Sequence, residues 1–423
     1  MASGGPQPNA FYCRAQGFFD EIRTGASESR SNFLKEWAVA SLLTLVSVAS
    51  ILRAKAMGIR VVHYLIDIDN GEEVYDKRSG YVLEELPPGE TLNFFHVNRP
   101  RNVFATWGQR AHPVYFESLW RVAGLFWPGQ KSDGSEAVKF NNDRLGTRVA
   151  RRLTESERQA SFWQWLFNWL GVERFYCIDD PRHTGELRLA CQREGILTLA
   201  YMHARFNKYH VGLCRPRFDR YLVWAPMWRD LLKRMNTEYE DSTIIVSGHP
   251  RLSCLQRVDR SIQPVRILWL GETNVDANEL ASYVSALNQL KGIEVIYRAK
   301  WGSSQGDEIP WVGCDKWGLD LSPDFIQSLH NNRISLVLGT HSTALIESWV
   351  CGVPSLMLSS SNDYAWHLTE EGFIPGCSSE EDLPKAIKQV NTLSDAEIQT
   401  ISEKMWGRNP TWEKTAMREW LNQ

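Results

Sequence analysis

The sequence predicts an α/β protein made of two Rossmann-like parallel-sheet domains that face each other across a cleft. Three observations lead there. Apolar strand-like runs alternate with helical patterns across residues 58–248, the order that yields parallel strands joined by crossover helices. A polar stretch, "GHPRLSCLQRVDRSIQPV" (248–265), then breaks the alternation as a linker would. The alternation restarts at 265 and continues to 360. These breaks place a first domain at 1–255, a second at 262–392 and a helical tail at 393–423.

In the first half the strand-like runs are 58–69, 91–97, 173–180, 195–204, 219–225 and 242–248, with helices over 183–194 and 225–236. Val, Ile, Tyr and Phe recur in these runs and suit a pleated, half-buried surface. Ahead of them, "WAVASLLTLVSVASIL" (37–52) is uncharged but shorter than the roughly 20 residues a membrane span requires. It reads as a buried helix of an α/β domain, with peripheral membrane contact as the alternative. Between Phe162 and Phe175, Trp163, Phe167 and Leu170 fall on one helical face, and Trp165 and Trp169 fall on the other. Core or interdomain packing explains such a stretch; sugar stacking or a protein interface is the sharper alternative. The second half reads as strand 265–273, helix 277–291, strand 292–300, short helix 322–331, strand 334–340, helix 343–351 and strand 355–360. Ser394 then caps a helical tail that runs to Gln423.

At 423 residues the chain holds two to three domains, and its 43% hydrophobic and 23% charged residues are those of a soluble globular protein. A net charge of −3 argues against a protein that tracks nucleic-acid phosphates. None of the eight cysteines forms a C-x-x-C or other metal-like spacing, so reduced thiols and no metal centre are expected. The N-terminus lacks the pattern of a signal peptide. A cytoplasmic location follows as the expectation, with contact at the inner face of the membrane as its variant.

In open parallel sheets, ligands bind beyond the carboxyl ends of the strands. The stretch "ISLVLGTHSTALIESWVCGVPSLML" (334–358) puts Gly339, Thr340, His341, Ser342 and Thr343 at such a point, between a strand and a helix. A helix start there offers backbone N–H groups to an anion. Ser342 and Thr343 add hydroxyl donors, Gly339 admits a close approach, and Glu347 one turn on is placed to accept from ribose hydroxyls. The plainer alternative is a helix capped by Ser342 with Glu347 on a solvated face.

The same stretch resembles the donor-binding motif of GT-B glycosyltransferases. More specifically, it is similar to bacterial surface-polysaccharide enzymes of the CDP-glycerol glycerophosphotransferase-like, CMP-sialic acid and CMP-Kdo transferase groups. Four further segments between residues 173 and 360 fit that resemblance. "VSGHPRLSCL" resembles the segment that closes the N-terminal domain of such proteins. "RILWLGET" resembles the first strand and glycine turn of their donor domain, which implies that Gly271, Glu272 and Thr273 face the cleft. "IEVIYRAKWG" stands where their basic element lies, implying that Arg298 and Lys300 neutralise a phosphate. "GILTLAYMHARFNKYHVG…FDRYLVWAP" resembles their "Q-H-G … aDkylvwg" segment, which implies His203 at the mouth of the first domain. Two positions depart: Ala204 replaces a glycine, and the basic element lacks its His-Pro, the only His-Pro of the second half being His249-Pro250 in the linker.

Glycosyl transfer with inversion needs a base near the acceptor hydroxyl and donors on the leaving phosphate. Asp179 and Asp180 end a strand, and adjacent residues on an extended chain point to opposite sides, so one of the two at most is catalytic. The pair also resembles the acidic motif of bacterial sialyltransferases, with Pro181 in place of its glycine; a turn or helix cap is the plain alternative. His203 is the second candidate base, because imidazole titrates near neutral pH. His341 is placed for donor phosphate or sugar, and Arg182 and His183 for the acceptor. "DID" (67–69) is the nearest approach to a DxD motif, and Asn70-Gly71 behind it signals a turn. The reading is a metal-independent glycosyltransferase with a nucleotide-sugar co-substrate, no other cofactor, and a glycan or lipid-linked acceptor. A polyol-phosphate transferase, a nucleotide-sugar epimerase and a catalytically silent glycan- or partner-binding module of the same fold are the alternatives.

Overall fold

The computed structural model describes residues 33–65, 79–95, 111–128, 144–179, 185–203, 206, 217–250, 252, 257–260, 264–272, 275, 277–300, 314, 316–361 and 365–423. Asp180, Arg182, His183, Thr273 and the 67–69 "DID" lie outside them. Two parallel sheets organise the chain. The first holds β1 (Val61–Leu65), β2 (Leu92–Phe95), β3 (His112–Tyr115), β4 (Arg174–Ile178), β5 (Leu197–Tyr201), β6 (Arg220–Val223) and β7 (Ile244–Val246) in the order 3-2-1-4-5-6-7. The second holds β8 (Val265–Leu270), β9 (Ile293–Arg298), β10 (Gly318–Leu319), β11 (Leu336–Gly339), β12 (Ser355–Leu358) and β13 (Gly376–Cys377) in the order 10-9-8-11-12-13. Each order reverses once, between β1 and β4 and between β8 and β11, and these reversals are the crevices where doubly wound sheets hold ligands.

The helices follow from the apolar stripes that the sheets cover. In chain order the main ones are α1 (Phe33–Met57), α2 (Phe116–Phe126), α3 (Arg144–Leu170), α4 (Gly185–Glu194), α5 (Pro226–Met235), α6 (Ala277–Asn288), α7 (Phe325–Asn331), α8 (Ala344–Val350), α9 (Leu383–Asn391), α10 (Asp395–Trp406) and α11 (Lys414–Leu421). On α3, Trp163 and Phe167 are fully buried and meet Phe94 edge-to-face at 5.4 and 5.9 Å, while Trp165 and Trp169 stay at the surface. The expected helix at 37–52 is longer than foreseen, and only one of its faces is buried. Cys177, Cys191, Cys314, Cys351 and Cys377 are buried and form no disulfide among the described residues; burial pushes the Cys351 thiol up to about 12 and Cys377 up to about 11.

The tail does not trail away from the second domain. α10 packs on α8 and α5, and α11 returns to the first sheet against β6 and β7. Trp420 wedges between Tyr176 and Tyr201 at 5.2 and 5.9 Å, and Leu421 O accepts from Tyr176 Oη at 2.9 Å and Arg174 Nη1 at 3.1 Å. The return strand of tail meets the interdomain linker: His249 N donates to Pro410 O (2.8 Å), Trp412 N to Leu252 O (2.7 Å) and Glu413 N to Ser247 O (2.9 Å). Gly248 sits in this seam with φ of 76°, and a Cβ there would lie 1.9 Å from Thr411 O. Gly248→Ala is therefore expected to cost about 2 kcal/mol or more, from the left-handed backbone and the clash together, read as a lower urea midpoint with an unchanged slope.

Candidate functional site

On the first-domain side the site is built from the ends of β4, β5 and β6. Asp179 follows β4 at the reversal of strand order, and its backbone N–H donates to Tyr201 O at 3.1 Å. Its side chain is 1% exposed and fully engaged. One carboxylate oxygen accepts from Tyr221 Oη at 2.8 Å; the other accepts from His203 Nδ1 in a short bond and from His203 N at 3.3 Å. Burial, reinforced by the Asp179 charge, pushes the Tyr221 hydroxyl well up, so it stays a donor. The pattern assigns the neutral imidazole's proton to Nδ1 and its lone pair to Nε2. His203, 13% exposed, thus has its ring tautomer held by a buried carboxylate.

The ground beneath this dyad is rigid. Tyr81 Oη donates to Met202 O at 2.6 Å and its ring packs on Trp412 of the tail at 5.2 Å. Tyr201 donates to Ser79 Oγ (2.6 Å) and meets His63 Nε2 (2.9 Å). Burial holds the His63 pKa down to about 3, so this imidazole is neutral.

The second-domain side differs from the expectation. Glu272, one residue beyond Gly271 and 5% exposed in its side chain, fills the Gly-Thr-His-Ser-Thr loop. Its carboxylate accepts from Thr340 N and Thr340 Oγ1 (2.5 Å each), from His341 N (2.8 Å) and from Ser342 N in a short bond. The N–H groups expected to hold donor phosphate are therefore turned onto an internal carboxylate. Gly339 serves that contact: a Cβ there would come within 3.3 Å of Glu272 Oε1 and Leu270 Cδ1. Gly271 is pinned too, its N–H donating to Arg298 O at 2.8 Å, and a Cβ would stand 2.5 Å from Tyr297 Oη. Ser342 Oγ accepts from Ala344 N at 3.3 Å, and His341 Nδ1 lies 2.8 Å from Thr340 Oγ1.

Two further residues expected at the ligand have internal partners. Arg298 is ion-paired with the buried Asp320 in a short contact and donates to Ser322 O at 3.0 Å, so its guanidinium ties β9 to the segment after β10. Burial pushes the Asp320 carboxyl up, but hydrogen bonds from Ser328, Arg298 and Ser322 outweigh it and leave it below the usual range. Glu347 is 7% exposed and faces the linker, with Oε1 3.1 Å from His249 Nε2, rather than a ribose site. His249 itself is clamped by Trp224 and Trp406 at 5.2 and 5.3 Å. Lys300, beyond β9, is exposed, and His341, Ser342 and Thr343 are half-buried at the loop.

The two doubly wound sheets match solved structures over most of the chain. The glycotransferase of kitacinnamycin aligns at 11% identity over 86% of this chain and 97% of its own, with a TM-score of 0.52. The fold is GT-B. CalG4, the calicheamicin glycosyltransferase, aligns at 13% identity over 86% of this chain and 98% of its own, with a TM-score of 0.51. No protein-family model matches the chain, and no curated protein sequence does. At these identities the likeness establishes the GT-B architecture, and the chemistry rests on the residues themselves.

Glu272 was expected to face the cleft but not to be the loop's partner, and Tyr221 was not foreseen as the partner of Asp179. The one available signal for Glu272 was a carboxylate directly after the first strand of a doubly wound sheet, beside the loop that the reversal of strand order brings next to it.

Proposed function

We propose that this chain is a glycosyltransferase that moves a sugar from a nucleotide-activated donor to a hydroxyl of a glycan or lipid-linked acceptor in surface polysaccharide or lipopolysaccharide biosynthesis. The observation that carries the reading is the Tyr221–Asp179–His203 chain at the ligand-binding end of the first sheet. In the proposed step His203 Nε2 takes the acceptor proton as the acceptor oxygen bonds to the anomeric carbon. The bond from that carbon to the donor phosphate breaks, and its electron pair leaves with the nucleotide. Asp179 keeps the ring in the productive tautomer and offsets the imidazolium charge. Lys300, His341 and the hydroxyls of Ser342 and Thr343 are the groups we assign to the leaving phosphate.

The polysaccharide setting is supported by the five segments that resemble the CDP-glycerol, CMP-sialic acid and CMP-Kdo enzymes. A polyol-phosphate transferase would use the same base, with phosphorus as the atom attacked. One observation favours a silent binding module instead: Glu272 already satisfies the N–H groups that a donor phosphate would take. Thermal unfolding with CMP, CDP, UDP, GDP and TDP, in EDTA, separates the two. A nucleotide at 100 times its Kd adds about 2.7 kcal/mol to an enzyme that binds it. We expect one base to stabilise selectively, and the Ser342→Ala/Thr343→Ala variant to lose that response. Silence to all five in folded protein would leave the binding module as the better reading.

A further inference from the structure

α1 is built inside out. Its buried face carries small and hydroxyl residues: Thr44 Oγ1 donates to Ala40 O (2.7 Å) and Ser118 O (3.0 Å), and Ser47 Oγ donates to Leu43 O (2.7 Å) and accepts from Tyr115 N (2.9 Å). Leu43 and Ile51 are buried beside them, while five of its larger side chains, Met57 among them, point outward. Leu42, Leu45, Val48 and Leu52 are 52, 69, 41 and 56% exposed. At 100° per residue they form one arc with Ala38 and Ala49, and no charged residue occurs from Trp37 to Leu52.

The arc is the centre of a larger surface. Ten large hydrophobic side chains are exposed among the described residues, and nine belong to α1, α2 and α3. Leu125 and Phe126 end α2 at 64 and 83% exposure. Trp165 and Trp169 of α3 stack with each other at 6.4 Å and 11°. Lys55 joins α1 to them, its Nζ 5.4 Å from the Trp169 ring centre and bonded to Trp169 O at 2.5 Å.

We infer that this face of the first domain docks on an anionic lipid surface. Three features single out a bilayer over a protein. A protein interface carries about one hydrogen bond per 100–200 Å², whereas Ser41 is the one polar side chain on the arc between Ala38 and Ala49. Exposed tryptophans at the margin, an apolar body with one N–H, are the residues that settle at a headgroup boundary. Arg53 and Lys55 flank the arc at its C-terminal end, and the acidic Glu36 and Glu117 at the other end lie beside Arg121, so these described residues together carry a net positive charge. Residues 36–57 are long and apolar enough to cross a membrane. Thr44 and Ser47 nevertheless tie α1 to α2 and β3, so it lies along the surface with one face toward lipid.

The inference rests on this surface alone and stands apart from the transfer reaction. The test is flotation of the full chain with vesicles of zwitterionic lipid and with the same vesicles carrying an anionic lipid. The chain should float with the anionic vesicles, be released by alkaline carbonate, and show blue-shifted tryptophan emission. Leu45→Glu/Leu52→Glu should cut the floating fraction at least tenfold with an unchanged Tm, and Arg53→Glu/Lys55→Glu should remove the preference for anionic lipid. Wild-type protein that stays in the aqueous fraction at both compositions, or that resists carbonate as a spanning helix does, overturns the inference. So does light scattering that finds a dimer which Leu45→Glu/Leu52→Glu dissociates.

Discussion

Replacing His203 by alanine is expected to lower kcat by about 10²- to 10⁴-fold, the contribution of one positioned general base. Asp179→Asn should approach that loss although the imidazole is still present. An asparagine can offer its amide N–H to Nδ1, which would hold the ring in the wrong tautomer with its lone pair turned away from the acceptor. Tyr221→Phe removes one hydrogen bond to Asp179 and should cost far less, because the carboxylate keeps its contact with His203. The three variants form a graded series that a structural role does not reproduce. Steady-state kinetics with KM resolved from kcat would show it: a base acts on kcat. If His203→Ala retained wild-type kcat in folded protein, the assignment of the base would fall.

The second large effect is expected at Glu272. Alanine there leaves three backbone N–H groups and the Thr340 hydroxyl without the partner they now share. Buried donors stripped of an acceptor cost about 1–3 kcal/mol each, though water from the cleft offsets part of that. A net loss of about 2–4 kcal/mol in equilibrium unfolding follows. Glu272→Gln separates charge from shape: it keeps an acceptor oxygen but removes the negative charge from the loop. If a donor phosphate settles beside this loop, the glutamine variant should bind nucleotide more tightly than the wild type, because like-charge repulsion is gone. Unchanged or weaker nucleotide affinity in a folded Glu272→Gln protein would mean that the phosphate is held elsewhere.

The sequence patterns reached the architecture but not the wiring of the site. The central strands were readable because both faces of a doubly wound sheet are covered, which makes runs such as "RFYCI" and "LVLG" almost continuously apolar. β3 escaped because "HPVY" opens with His-Pro; it lies at the sheet edge, where a missing N–H is tolerated. β10 and β13 are two residues long and leave no periodicity to detect. Asp179 and His203 were both visible as polar residues at strand ends, although their contact is 24 residues apart in sequence. The internal partners of Arg298 and Glu347 were hidden for one reason. Each was given to a ligand because its neighbours fit a ligand site, while its partner, Asp320 or His249, comes from a segment that only the folded chain brings near. Which side of α1 faces outward was equally hidden, since its leucines and its hydroxyls alternate on a helix that is apolar almost all round.

The path of the tail has a consequence for anyone who exchanges second domains between proteins of this architecture. A single cut in the 257–264 segment would carry α11 away with the second domain and strip Trp420 from its seat between Tyr176 and Tyr201. A workable chimera needs two junctions, the second between α10 and the Pro410–Trp412 seam, so that residues 410–423 stay with the half they complete. The chain thus behaves as one polypeptide interrupted by an insert, its first and last segments forming a single body into which the second sheet is spliced.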